Sequence, residues 1–257
     1  SDDDIILYMQ IDSIISPLNP GGDGYISRIM SYSINSQESS LIADSVSGVE
    51  FLMSHDKSKI LFFVGVPSSE DARIIIHDLN FNVSDTLNYN SGFPPIFNSI
   101  AYNTFFWGKD NNLYIPVGVP CNICLEPQTK DTRFAAIHKY ENGKLITVAD
   151  GVRNSVGFDW HPITKKLYFS DNGRDWLGDD SPACELNVVN EEGSFFGYPY
   201  KHAKDVIDPE FGDMIPSVDR EFVDPIAELG AHVAPLGIAF YDSKEFPEKY
   251  HNSVFIA

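Results

Sequence analysis

GVRNSVGFDWHPITKKLYFSDNGRDWLGDDSPACELNVVNEEGSFFGYP, residues 151–199, contains three short apolar segments: Val156–Trp160, Lys166–Ser170 and Glu185–Asn190. Each is bounded by Pro, Gly, Asn or Asp and is too short and too rich in β-branched or aromatic residues for a helix, so each reads as a strand. Between the second and third lie Asp171-Asn172-Gly173-Arg174-Asp175 and Gly178-Asp179-Asp180, a loop dense in oxygen donors carried by a sheet, which is where binding and catalysis concentrate.

The first two of these strands form a unit that recurs. Gly157-Phe158-Asp159-Trp160, the turn His161–Lys165 and Leu167-Tyr168-Phe169 have a counterpart in Phe51-Leu52-Met53, His55-Asp56 and Ile60–Phe63. A further copy is Thr104–Trp107, Lys109–Asn112 and Leu113–Ile115, and the last is Gly237–Tyr241, a longer turn through Phe246-Pro247, and Val254–Ile256. Their second strands are spaced by about 52, about 54 and about 87 residues, one period each and then a period with an insertion. Strands at Arg73–His77 and Ala135–Tyr140 occupy matching places between copies. A hairpin recurring at a period near 50 with further strands between predicts an all-β fold, a β-propeller of four-stranded blades.

Upstream, Ile5–Met9 and Tyr25–Ile34 read as strands on either side of the turn signal Pro20–Gly24, and a serine-rich loop follows. The chain of 257 residues, 43% apolar, predicts a single propeller domain over 1–257 with a loop insertion at about 201–235, which carries Pro209, Pro216 and Pro225. Because the strand pattern is still running at Ala257 and a propeller must close to remove its edges, four to five blades are expected here and an incomplete chain.

A net charge of −19 argues against nucleic acid as a partner. No run approaches the roughly 20 apolar residues that cross a bilayer. Cys121 and Cys124 lie at a strand end, so a local disulfide ranks above a redox motif or two thiols, and with Asn82-Val83-Ser84, the one glycosylation sequon, it predicts an extracellular, secreted or surface setting.

Gly151–Gly157, Trp160-His161-Pro162, Asp171–Asp175, Gly178–Asp180, Glu185-Leu186-Asn187 and Phe196–Pro199 together resemble the glucose/sorbosone dehydrogenase family, as do Val117–Cys124 and Leu229–Gly237. The resemblance is dense from about Asn111 onward and implies a six-bladed propeller that binds pyrroloquinoline quinone (PQQ) and calcium and oxidises a sugar or other carbohydrate. Residue by residue, it implies that Arg153, Asn154 and Asn172 bind the cofactor. It further implies that the backbone carbonyls of Gly173 and Arg174 bind the calcium beside the cofactor, and that Glu185 and the backbone of Phe196 ligate further calcium. Cys184 stands where the family usually has an acid. Sugar oxidation needs a base, and the family supplies a histidine where this chain reads Pro94-Pro95-Ile96-Phe97-Asn98-Ser99-Ile100-Ala101-Tyr102-Asn103. No histidine occurs between His77 and His138, so no catalytic residue is assigned and an impaired site is expected.

Blander readings stand beside these. The 171–180 run also reads as an acidic, solvated turn; an EF-hand is excluded because glycine and glutamate do not fall at its sixth and twelfth positions. Arg153 also reads as the ion-pair partner of a neighbouring acid, His161 as a turn residue, His232 as a loop anchor, and Trp107 and Trp160 as packing. Two alternatives to the dehydrogenase remain: a recognition propeller with protein or glycan partners, and a calcium-dependent propeller lactonase.

Overall fold

The computed structural model describes residues 5–15, 24–33, 35–47, 52–64, 73–87, 105–125, 127, 130 and 132–257. It divides into two compact units, Ser1–Phe97 and Asn98–Ala257. The Pro94–Asn103 segment lies outside the described residues, as does the Pro20–Gly24 turn apart from Gly24.

The described residues of the first unit form one sheet of seven strands. β1 (Ile5–Ile15), β2 (Gly24–Ser33) and β3 (Glu38–Ser47) form a meander; β4 (Leu52–Met53) pairs with β5 (Lys59–Val64), and β6 (Arg73–Asp78) and β7 (Val83–Leu87) follow in antiparallel order. Ile29, Ile60 and Phe62 make its core, with Leu7, Ile42 and Ile75 against them. The serine-rich stretch expected as a loop is β3. Its Ser39 and Ser40 are exposed while Ile42 and Ala43 pack inward, so polarity marks an exposed stretch of strand and not a break.

The second unit holds β8 (Phe106–Trp107), β9 (Leu113–Val117), β10 (Ala136–Glu141), β11 (Lys144–Asp150), β12 (Phe158–Trp160), β13 (Leu167–Asp171) and β14 (Ala183–Val188). Then come β15 (Ser194–Phe195), β16 (Lys201–His202), β17 (Val206–Ile207), β18 (Ala227–Ala231), β19 (Ile238–Phe240) and β20 (Val254–Ile256). The strands β8-β9-β10-β11 form one antiparallel four-stranded set, with β15 added in parallel on β11; β12-β13-β14-β18 form a second; β19-β20 is a further hairpin. Tyr114, Ile137, Val148, Phe158, Leu167 and Phe169 fill one cluster from both four-stranded sets. Phe106 and Trp160 lie 4.3 and 5.8 Å from the Phe158 ring.

The predicted repeat is visible in the backbone. In three of the hairpins a tight turn closes the first and second strands and in the fourth the longer 241–253 connection does, and each has one non-glycine residue in the left-handed region: Lys57, Asn111, Lys165 and Asn252. The turn hydrogen bonds repeat with them, from Ser54 N to Lys59 O, Gly108 N to Asn112 O, His161 N to Lys166 O and Tyr241 N to Ser253 O. Side chains supply the caps: Asp56 accepts from Ser58 N, Asp110 from Asn112 N, and His161 Nδ1 from Ile163 N. His161 is thus a turn residue. Gly157 has a packing reason, since a Cβ there would lie 2.6 Å from Leu236 O, where the chain leading into β19 passes close to β12.

The region 201–235 contains the short β16-β17 hairpin, a 3₁₀ turn at Gly212–Ser217, and β18, which completes the β12-β13-β14 set as its fourth strand. The insertion therefore falls between the third and fourth strands of a blade. Because Phe158 joins the two sets, Phe158→Ala is expected to cost about 3–5 kcal/mol, read as a lower urea midpoint with an unchanged slope.

Candidate functional site

The site grows from the end of β13. Asp171 is cross-strand to Glu185 on β14, and both are buried. The Asp171 carboxylate accepts the backbone N–H of Arg153 at 2.9 Å and of Asn154 at 2.6 Å, so one side chain fixes the 151–156 loop against the blade. Asn172 returns the bond twice, donating its N–H and its side-chain amide to Asn154 O at 3.1 and 3.0 Å. Arg153, Asn154 and Asn172 are thereby brought together.

The Arg153 guanidinium reaches Asn122 O and Asn122 Oδ1 at 3.0 and 2.8 Å and Asn172 O at 3.1 Å, with Asp175 Oδ2 at 3.8 Å. Its side chain is 14% exposed. Asn122, which the sequence reading did not single out, sits between Cys121 and Cys124, and those cysteines are bonded to each other as a local disulfide. Its side chain also holds the next loop, accepting Asp175 N at 2.8 Å and donating to Asp175 O at 3.1 Å. The buried Tyr198 ties this turn down from behind, its hydroxyl accepting the Cys124 N–H at 3.0 Å. Only the CxxC spacing, which closes a tight turn around Asn122, could have pointed to it.

Arg174 turns the other way. Its side chain, 3% exposed, donates to Asp208 Oδ2 at 2.6 Å and Glu210 Oε1 at 3.0 Å, and His202 Nε2 bonds the same Asp208 oxygen at 2.9 Å. Burial alone would raise the Asp208 carboxyl, but the bonds from His202, Arg174 and the amides of Phe211 and Glu210 outweigh it and hold it below its ordinary value. Burial keeps His202 below the usual imidazole range. Arg174 therefore anchors the 201–217 segment with its side chain. Phe196 is buried in the core cluster, its N–H bonded to Asp150 O.

Glu185 accepts Ala203 N at 2.6 Å and Asn187 Nδ2 at 2.9 Å. Burial, and after it the charge of Asp171, push Glu185 up to about 8; burial likewise raises Asp171, to about 6, against the pull of its amide bonds and Arg153. Among the described residues, two fully buried side-chain oxygens have no partner, Asn187 Oδ1 beside Glu185 and Ser155 Oγ beside Asn154. A buried carboxylate pair is a donor set of the kind a hard cation takes. Calcium fits at Glu185 on that ground, although no three His, Cys, Asp or Glu side chains among the described residues converge as ligands. The Arg153 guanidinium keeps N–H groups beyond those bonded to Asn122 and Asn172, the kind of donor an anionic, oxygen-rich group takes.

The sequence model of the family described as Glucose / Sorbosone dehydrogenase matches residues 128–257. An uncharacterized protein of Borreliella burgdorferi is 44% identical over 149 residues, 58% of this chain; the match spans 38% of that protein's length. Among solved structures, a Trichoderma reesei carbohydrate-active enzyme of family AA12 is similar at 17% identity, covering 91% of this chain and 73% of that one with a TM-score of 0.55. A glucose dehydrogenase is similar at 15% identity, covering 96% and 82% with a TM-score of 0.56. At such identities these two likenesses are of fold.

The carboxyl pair sets a pH dependence. Both groups hold a proton more firmly folded than unfolded, so their contribution to stability is present at low pH and is lost as pH rises from about 4 through about 6 and about 8. Calcium-free protein is expected to lose at least about 1.4 kcal/mol, one pKa unit's worth, between pH 5 and pH 8 in denaturant titrations. Glu185→Gln is expected to flatten that slope, and calcium to restore the midpoint at pH 8 in the parent only.

Proposed function

This chain belongs to the glucose/sorbosone dehydrogenase family, and from that premise we propose that it carries the calcium- and PQQ-binding part of a sugar dehydrogenase-like propeller. The observation that supports this most directly is that the Asp171 carboxylate holds the backbones of Arg153 and Asn154 while Asn172 bonds Asn154 O, at the strand end that leads into Gly173 and Arg174. The quinone, when bound, supplies an acceptor for the hydride of a sugar C–H bond. Arg153 supplies a fixed positive charge for the cofactor's anionic oxygens, its plane held by Asn122 and Asn172 before any ligand arrives. Gly173 and Arg174 supply backbone carbonyls and Glu185 a carboxylate for calcium. The free, buried Cys184 stands beside Glu185 in place of an acid, so the cation there has one charge fewer to hold it.

No histidine falls in Pro94–Asn103 to take the sugar hydroxyl proton, so slow turnover goes with tight cofactor binding in this reading. The same feature favours the second reading, a recognition propeller that keeps the pocket without the chemistry. A local disulfide at Cys121–Cys124 supports an oxidising compartment, and with it the extracellular or surface setting. No helix among the described residues is long and apolar enough to cross a membrane.

Titration of the protein with PQQ and calcium, followed by absorbance, tests the reading. Saturable binding is expected with calcium, and Arg153→Ala is expected to weaken it by about 10- to 100-fold, the worth of one charge-assisted hydrogen bond. Failure of the quinone to bind in the presence of calcium overturns the dehydrogenase reading. Quinone binding with no sugar oxidised by an artificial electron acceptor selects the impaired form.

A further inference from the structure

Trp176 is 81% exposed, and its backbone lies in the left-handed region with φ 71°. Such a backbone disfavours a bulky L-residue by roughly 1–2 kcal/mol, and an indole left in water forgoes the gain of burying it. Neither cost arises from a slack loop. Asp175 is held by Asn122 at both its N–H and its carbonyl, Arg174 Nε bonds the same carbonyl at 3.1 Å, and Gly178 O bonds His232 Nε2 at 2.9 Å. Asn122 is itself fixed in the disulfide-closed turn, and Arg174 is anchored to the buried Asp208. A rigid frame thus forces an aromatic face outward, one residue from the Asp175 carboxylate that flanks Arg153.

The exposed groups of the same loop, and the histidine bonded to it, define what it takes. Asp175, Asp179 and Asp180 are exposed, and His232 Nδ1 lies 3.8 Å from Asp175 Oδ1. A pyranose ring presents an apolar C–H face to stack on indole and a rim of hydroxyls for carboxylates and imidazole to bond. An anionic ligand would meet three carboxylates on a chain of net charge −19. We infer that Trp176 is the stacking platform of a subsite for neutral sugar rings at the rim of the candidate site, one that discriminates against glycuronates and sugar phosphates. The inference rests on the sugar dehydrogenase reading and deepens it by naming a residue that selects among sugars.

Of the three tryptophans, Trp107 is buried and Trp160 half-buried, so acrylamide quenching of intrinsic fluorescence reports chiefly on Trp176. The full chain is titrated with cellobiose, methyl β-D-glucoside, D-glucuronate and tetramethylammonium, and Trp176→Ala and Trp176→Phe are titrated by calorimetry with the same sugars. The neutral sugars are expected to shield Trp176 saturably and glucuronate to bind far more weakly. Trp176→Ala is expected to lose about tenfold in sugar affinity, and Trp176→Phe, which keeps a ring, to lose less. Thermal midpoints and quinone affinity stay unchanged in both variants. No shielding by neutral sugars, equal sugar affinity in Trp176→Ala, or shielding by tetramethylammonium in their place overturns the platform. The quinone titration separates the two readings: quinone bound without sugar sinks the platform alone, and sugar bound through Trp176 without quinone sinks the dehydrogenase alone.

Discussion

Two backbone N–H groups on one buried carboxylate hold the site together. Asp171 ends a strand of the blade, and by taking the amides of Arg153 and Asn154 it converts a connecting loop into part of the sheet. The rest follows in order. With its backbone fixed, Arg153 aims its guanidinium at Asn122 and Asn172, and Asn122 in turn sets the position of Asp175. Each step uses a group whose own position the previous step has determined. That is how a site built from three loops acquires the rigidity of the strands beneath it.

The arrangement works against electrostatics. Asp171 and Glu185 are neighbours on adjacent strands in a buried setting, where like charges raise each other's cost of ionisation. A few residues away the opposite solution appears: Arg174, Asp208 and His202 are equally buried but paired, and Glu210 completes the set. Buried pairs of this kind contribute little net stability yet are costly to break. Their placement therefore reads as positioning, fixing the 201–217 segment against the loop that follows β13. The like-charged pair, Asp171 and Glu185, includes one of the carboxylates proposed above to hold the cation.

The repeat was legible because it is local. Each hairpin lies within about 20 residues and carries its own turn chemistry, down to a left-handed residue in each turn at Lys57, Asn111, Lys165 and Asn252. The same holds for Arg153, Asn154 and Asn172, which motif order alone grouped and the hydrogen bonds unite. What escaped was non-local or disguised. β3 was hidden by its serines, since composition reports solvent exposure before it reports pairing. Asn122 lies 31 residues from Arg153 and 53 from Asp175, and nothing in its own neighbourhood shows that its amide joins both. Asp208 and His202 belong to a segment with no period, so no pattern could call attention to them.

That last segment links fold to site. β12, β13 and β14 follow one another at blade spacing, but the fourth strand, β18, comes only after the residues that supply β15, β16 and β17. Those intervening residues are the ones that hold the site from beneath: Tyr198 bonds the Cys124 amide, Ala203 donates to Glu185, and His202 and Asp208 seize Arg174. A blade of regular length would pass from β14 to β18 in a short turn and leave Glu185 and Arg174 facing water, where neither a carboxylate nor a guanidinium needs a partner. Delaying the fourth strand supplies the polypeptide that buries them. The interruption of the repeat and the construction of the pocket are therefore one event, and local pattern fails here because the chain departs from its scaffold to make a site.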